Sequence, residues 1–280
     1  MPLYTVFGAR GFIGGATIRH LLANGHQCQL VGRGDDVPMQ LGHAIYAIGT
    51  ADFRNRPFET VNSNIAMLSR LLQESEFESF TFLSSTRVYL RQDPRGVALE
   101  TMPLIVDAHD FTDVYNLSKI LAECLCLGIK NPKIRIVRLS NVYGAEDTSN
   151  NFLTVILRNL LTQGKATFFL SMSSSKDYID IRDVVRALEL LPLQASSRVI
   201  NVASGRNVSN REISDLIARY VGLAVDILPN APEISFPRIS IDRLIAEVGI
   251  RPRDITDCFT GLVSDIRAKL GQAVQPESLR

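Results

Sequence analysis

Residues 3–7 (LYTVF) form a short apolar run, rich in β-branched and aromatic side chains, that stops at a glycine. This is the pattern of a buried strand. Behind it, FIGGATIRHLLA (12–23) sets Ile13, Ile18, Leu21 and Leu22 on one face at helical spacing and ends at Asn24-Gly25. The same reading predicts strands over 27–32 (QCQLVG), 43–49 (HAIYAIG), 79–85 (SFTFLSS) and 134–139 (IRIVRL). It predicts helices near 58–73, where Leu68, Leu71 and Leu72 recur at core spacing, and over 113–128. Strand–helix alternation of this kind gives a parallel sheet with right-handed crossovers. The strand starting near Leu3 is expected at its centre. The interval from Arg33 to His43 leaves no room for a full helix.

The pattern changes after residue 144. A helix (151–162), a short strand (166–170) and a Ser-rich loop, SMSSSK (171–176), precede a return to helix (182–191) and strand (198–202). Residues 205–280 read as mainly helical. The polar end, GQAVQPESLR (271–280), is expected to fray.

Composition narrows the partners. The 280-residue chain carries 46% hydrophobic and 21% charged residues and a formal net charge of +1. No overall field draws nucleic acid or a membrane surface, so a small molecule is the expected ligand. No stretch reaches the roughly 18 uninterrupted apolar residues of a membrane span, and no signal peptide is read at the start. The four cysteines suit neither a disulfide framework nor a zinc site; Cys124 and Cys126 stand at C-x-C spacing with no ligand cluster beside them. They are expected as buried helix cysteines in a reducing, cytoplasmic setting, with no metal bound.

The first strand runs into GARGFIGG. Gly8, Gly11 and Gly14 permit a tight turn, approach of the backbone to a pyrophosphate, and close helix–strand packing. The free N–H groups where the helix begins, around Phe12 and Ile13, suit phosphate. A merely structural turn is the alternative. The strand before and the helix after make the fold class α/β: a Rossmann, doubly wound parallel sheet with a smaller, mainly helical C-terminal substrate lobe. Residues 1–144 with 179–204 form the dinucleotide-binding domain, 145–178 with 205–270 the lobe, and the ligand cleft lies between them. The second strand ends in LVGRGDD without the acid that holds the ribose of NAD. Arg33 there suits the extra phosphate of NADP, so the cofactor reading is NADP or NAD, leaning to NADP. A solvated loop arginine is the alternative, and a small register shift to Asp35 or Asp36 restores an acid.

Tyr115 and Lys119 stand at i, i+4 in YNLSK, on one helix face. A lysine ammonium beside a phenol favours the phenolate, which lets tyrosine exchange a proton near neutral pH. The spacing alone also fits a solvated helix face. In order and spacing, however, FLSSTRVY, YNLSK, VRLSNVYG, KDYIDIRDVV and INVASGRNVSNREI resemble the extended short-chain dehydrogenase/reductase family, the nucleotide-sugar epimerases and dehydratases. The resemblance covers roughly residues 3–265.

It implies a set of roles. Ser85, three positions before Val88, stands where the family keeps its catalytic Ser or Thr; Ser84 or Thr86 takes the place if the register shifts by one. Tyr115 is the general acid/base. Lys119 binds the nicotinamide ribose and tunes Tyr115. Ile48 and Gly49, in AIYAIG, lie under the nicotinamide. Thr86, Asn141 and Lys176 face the substrate, Lys176 replacing the family's arginine at the phosphates. Arg238, in FPRISID, is the lobe residue expected at a phosphate, and Asn64 packs beside the site. Association as a homodimer through helices 58–73 and 113–128 follows, with Leu121, Leu125 and Cys124 as apolar contacts, although core packing explains these equally.

Three departures stand out. The missing helix and strand between Arg33 and His43 remove a pair that lines the adenine. Leu90 replaces a glycine after Val88-Tyr89. Thr86-Arg87 occupy the Asp-Glu positions with which the family's 4,6-dehydratases eliminate water, so dehydration is poorly supported. The expected activity is an NAD(P)-dependent epimerase or reductase acting on a nucleotide-linked sugar. A non-catalytic dinucleotide-binding module is opposed by the intact Ser85, Tyr115 and Lys119. A reductase of a non-sugar carbonyl is opposed by Asn141 and Lys176.

Overall fold

The strand–helix alternation closes into a single parallel sheet. The structure, a computed structural model, describes residues 1–32, 34–49, 53–149 and 151–273. Strand β1 (Leu3–Phe7) turns into α1 (Phe12–Ala23), followed by β2 (Gln27–Val31) and β3 (His43–Tyr46). One long helical stretch comes next: α2 (Pro57–Val61), a π-helical turn (Asn62–Ala66) and α3 (Met67–Glu74). Then come β4 (Ser79–Ser85), β5 (Val97–Ala98), α4 (Val114–Gly128), β6 (Ile134–Leu139) and β7 (Asn141–Tyr143). The chain goes on through α5 (Phe152–Gln163), β8 (Thr167–Phe168), β9 (Ser175–Asp180), α6 (Ile181–Gln194) and β10 (Val199–Val202). It ends with β11 (Asn207–Ser209), α7 (Asn210–Val221), β12 (Asp226–Ile227), β13 (Arg238–Ile239), α8 (Asp242–Val248) and α9 (Ile255–Ala273).

The sheet order is β10-β6-β4-β3-β1-β2, and every pair is parallel. β1 therefore lies second from the edge, not at the centre as the sequence reading placed it. The cause is the short passage from β2 to β3. Residues 34–42 contain no helix and only an isolated bridge at Gln40, so nothing is added outside β2. The face this leaves uncovered shows in Leu30, which is 56% exposed on β2.

Alternation along the inner strands fills two cores, one on each face. Tyr4, Val6, Ile45, Leu83 and Val137 pack against α1 and α6, whose Ile18, Leu21, Val184 and Leu188 are buried. Phe7, Tyr46, Phe80, Phe82 and Ile136 pack against α3 and α4 through Leu68, Leu71, Ala122 and Cys126. Leu22, read as part of the helical core face, is 53% exposed; Leu21 carries that contact instead. A third core gathers Leu153, Leu157, Phe168, Ile213, Ile217 and Phe259 from α5, β8, α7 and α9. Here the cysteine reading changes in one place: Cys126 and Cys258 are buried, but Cys124 is exposed on α4. The strand read over 43–49 stops at Tyr46, and Ser175 and Lys176, read as loop, open β9. Residues 274–280 of the presumed fraying end lie outside the described residues.

Candidate active site

The glycine turn after β1 is built by close backbone approach. Gly8 has φ +81° and lies so near Ala47 that a Cβ would stand 2.8 Å from the Ala47 carbonyl oxygen. A Cβ on Gly14 would run into the Gly8 carbonyl. These contacts draw the start of α1 against the end of β1. Gly11, the N-cap of α1, makes no side-chain cap, and the first turn holds no acid. The leading N–H groups of α1 are thus left for an anion. They open, with Phe12, Ile13, Ile48 and Gly49, into a cleft of about 430 Å³.

Ser85, Thr86, Tyr115, Lys119, Asn141 and Lys176 line the same cleft. β4 ends at Ser85, whose hydroxyl accepts from Arg87 N–H at 3.1 Å and so starts a short 3₁₀ turn, Thr86–Tyr89. The Ser85 hydroxyl acts on the phenol of Tyr115, which projects into the cleft from the first turn of α4. Asn141 donates to the Asp177 carbonyl at 2.7 Å, which ties β7 to β9 beside Lys176. Asn64, on the π-helical turn, is fully buried, and its amide donates to Ser118 on α4 at 2.9 Å. Its carboxamide oxygen has no partner and faces Gly49 and Lys119: a Cβ on Gly49 would lie 3.5 Å from that oxygen and 3.6 Å from Lys119 Nζ. The π turn that carries Asn64 sets this side chain against Gly49 and Lys119, which line the cleft.

Charge in the cleft is one-sided. Arg87, Lys119 and Lys176 line it, and no described carboxylate does. Lys119 Nζ donates to the Leu83 carbonyl at 2.8 Å and lies 4.8 Å from the centre of the Phe82 ring. Burial pulls its ammonium down to about 7, with Glu123 acting in the opposite sense. Lys176 sits 4.7 Å from the Phe152 ring, and burial lowers it to about 8, with Arg87 adding to the effect. Burial pushes the Tyr115 phenol up, while the Ser85 hydrogen bond and the Arg87 guanidinium pull it down. Lys119 Nζ, to which the sequence reading gave the tuning of Tyr115, lies 5.9 Å from the centre of the Tyr115 ring, and Arg87 adds a second cation there.

Two expected residues fall elsewhere. Arg238 is exposed on β13, where its backbone pairs with Gly96, and it does not reach the cleft. Two-residue alternation explains this: Ile239 takes the buried side of β13, and the segment before β13 reaches the cleft through Ile234 and Phe236. Arg33 lies outside the described residues. Close to it, the Asp35 carboxylate accepts from Gly32 N–H at 2.7 Å and faces Arg10 at 3.6 Å. An acid therefore stands at the end of β2 after all, folded back by the turn at Gly34. Phe53 and Arg87 went unnoticed as site residues. The signal for Arg87 was its place directly after Ser85-Thr86.

The family model described as NAD dependent epimerase/dehydratase family matches residues 38–203. The chain belongs to this family. A curated protein of Methanocaldococcus jannaschii named "Putative UDP-glucose 4-epimerase" is 25% identical over 146 residues, 49% of this chain and 48% of that protein. The chain thus spans about half the length of the curated relative it matches. A solved structure described as "MoeE5 in complex with UDP-glucose and NAD" superimposes with a TM-score of 0.82 at 20% identity, covering 96% of this chain and 100% of that one. RMD from Pseudomonas aeruginosa, complexed with NADPH, gives 0.78 at 24% identity, with 96% and 100% covered. The UDP-glucose 4-epimerase of Thermotoga maritima, with UDP-glucose, gives 0.76 at 17% identity, with 96% and 99% covered. At these identities the structural likeness is one of fold.

The residues present fit the dinucleotide in the name of this epimerase/dehydratase family. The uncapped start of α1 and the glycine turn at Gly11 and Gly14 face the cleft, and the unpartnered Asn64 oxygen lies behind Gly49 and Lys119, which line it. Among the described residues, no helix is long and apolar enough to cross a membrane, and no group of three or more His, Cys, Asp or Glu is arranged to hold a metal ion.

Proposed function

We infer that this protein is an NAD(P)-dependent enzyme that oxidises or reduces a hydroxyl-bearing carbon of a nucleotide-linked sugar, as an epimerase or a reductase. The observation that carries the reading is that Ser85, Tyr115 and Lys119 line the same cleft as the N-terminus of α1. Gly8, Gly11, Phe12, Ile13 and Gly14 hold the pyrophosphate of the cofactor, and Ile48 and Gly49 lie beside its nicotinamide half. The chemistry supplied by the bound cofactor is hydride exchange with the substrate carbon. Tyr115 gives a proton to, or takes one from, the oxygen on that carbon. Ser85 holds the same oxygen by hydrogen bond and stabilises charge as it develops there. Lys119 binds the ribose. Lys176 and Asn141 face the phosphates of the sugar nucleotide.

The uncovered edge beyond β2 supports a reductase over an epimerase. The adenosine half loses the strand and helix that would wall it, which favours a cofactor that exchanges between turnovers. Asp35, held at the end of β2, supports NAD(H), although Arg33 favoured NADP(H) in the sequence. A second copy of the chain is the proposed partner. α2 and α4 pack together and leave Phe58, Val61, Leu117 and Leu121 exposed on their outer side.

The test is turnover of UDP-, dTDP- and GDP-linked hexoses by the purified protein with NAD(H) and NADP(H), with mass measurement of any nucleotide that copurifies. Tyr115→Phe removes only the ionisable hydroxyl. It is expected to lower turnover about 10²–10⁴-fold, the usual worth of acid–base catalysis, with little change in cofactor affinity. Full turnover by Tyr115→Phe on an identified substrate would overturn the assignment.

A further inference from the structure

The cleft holds a cation that the proposed reaction does not use. Arg87 is half-buried in the cleft wall, directly after Ser85-Thr86. It makes no ion pair among the described residues, and its Nε is buried without a hydrogen-bond partner. The two nearest carboxylates that draw on its charge, Asp110 and Asp113, are both taken by Arg91, at 2.6 and 2.5 Å. Its guanidinium lies 5.2 Å from the centre of the Phe53 ring, and that ring lies 5.7 Å from the ring of Tyr115. Arg87 is therefore fixed at the reacting end of the cleft, where its field reaches the Tyr115 phenol. Lys176, on β9, lies against the Phe152 ring of α5, within reach of the Arg87 charge.

A desolvated guanidinium with open donors is costly unless something anionic completes it. Among the described residues no carboxylate of the cleft does so, which leaves the ligand to supply the anion. The two cations have different neighbours: Lys176 lies against the Phe152 and Tyr178 rings, whereas Arg87 lies against Phe53, whose ring meets Tyr115, so Arg87 is the one beside the carbon being oxidised or reduced. A planar fork of donors at that position matches a carboxylate in two-point geometry. The turn that starts at Ser85 holds it there, since Ser85 accepts from the Arg87 N–H itself.

Resting on the reading of the site as one for a nucleotide-linked sugar, we propose that the sugar is a uronate, its carboxylate bound by Arg87. The substrate class is then nucleotide-linked hexuronic acids, and Arg87 is the residue that selects them over neutral hexoses.

The experiment is calorimetric titration of the NAD-loaded protein with UDP, UDP-glucose and UDP-glucuronic acid, for the wild type, Arg87→Gln and Arg87→Lys. UDP-glucuronic acid is expected to bind the wild type about 10- to 100-fold more tightly than UDP-glucose, the worth of a charge-assisted hydrogen-bonded pair in a partly desolvated site. Arg87→Gln is expected to erase that ratio and Arg87→Lys to keep part of it, each with UDP still binding as the check on folding. A wild type that binds the two sugars equally, or prefers the neutral one, overturns the uronate assignment alone. Arg87→Gln weakening UDP, UDP-glucose and UDP-glucuronic acid alike also overturns it, and makes Arg87 a phosphate contact. Failure of UDP, dTDP and GDP all to bind overturns the nucleotide-sugar reading itself, and this proposal with it.

Discussion

Lys119 is held in a place that a cation would not choose. It is 4% exposed, its ammonium donates to one carbonyl, and Glu123 acts on it only through space. Burial lowers it from its ordinary 10.5 to about 7, which corresponds to about 4–5 kcal/mol at 1.36 kcal/mol per pKa unit. The unfolded chain keeps the proton between about pH 7 and 10.5, whereas the folded chain releases it, so the unfolded state binds more protons in that window. Stability therefore rises with pH across it. Below pH 7 the whole penalty stands, and at pH 9 only about 2 kcal/mol of it remains. Lys119→Met removes the titration and fills the same apolar space. The hydrogen bond to Leu83 and the change of shape are lost equally at both pH values and cancel in the comparison. Urea unfolding of the cofactor-free wild type and variant at pH 6 and pH 9 is the assay. The stability of Lys119→Met relative to wild type is expected to be higher at pH 6 than at pH 9 by about 2–3 kcal/mol. The same difference at both pH values, or the opposite order, would refute the reasoning. The variant is also expected to lose cofactor affinity and turnover together, since a side chain that weakens the fold is retained for what it binds.

Arg138→Met leaves the Glu123 carboxylate, 2% exposed and held by Arg138 at 2.5 Å, without its partner; a loss of about 3–5 kcal/mol in urea unfolding is expected, and an unchanged midpoint would show that Ser84 alone satisfies Glu123. Asp35→Asn removes the carboxylate at the end of β2 and is expected to shift the NADP(H)/NAD(H) affinity ratio about tenfold toward NADP(H), since like charges at a contact are strongly disfavoured; an unmoved ratio in fluorescence titration would free Asp35 of any role. Leu121→Asp, on the exposed outer side of α4, is expected to convert a homodimer to a monomer in sedimentation equilibrium, and a wild type already monomeric at micromolar concentration counts against the pairing.

The order of strands and helices, the glycine turn, and the sharing of one helix face by Tyr115 and Lys119 were legible in the chain, because each rests on local spacing; Ser85 came only through the resemblance to a family. Period 2 and period 3.6 record which face is buried, a strand ending in glycines must turn, and i, i+4 on a helix must share a face. The shortness of the Arg33–His43 interval was equally legible, since nine or ten residues cannot hold a helix and a strand. Its consequence was not: that β1 stands next to the edge follows only from counting which strands the finished sheet contains. Tertiary structure alone decided the electrostatics. Asp35 reaches Gly32 because a left-handed Gly34 folds the turn back. Glu123 meets Arg138 because α4 crosses β6, fifteen residues further along the chain. Arg238 leaves the site because a two-residue strand happens to bury its neighbour. Among the described residues Arg87 is left without an ion pair because Arg91 claims Asp110 and Asp113. Sequence fixes which charges exist and which face of an element they occupy. Which charge finds a partner depends on distances between elements far apart in the chain, and it is set only when burial has removed the water that would otherwise have answered each one.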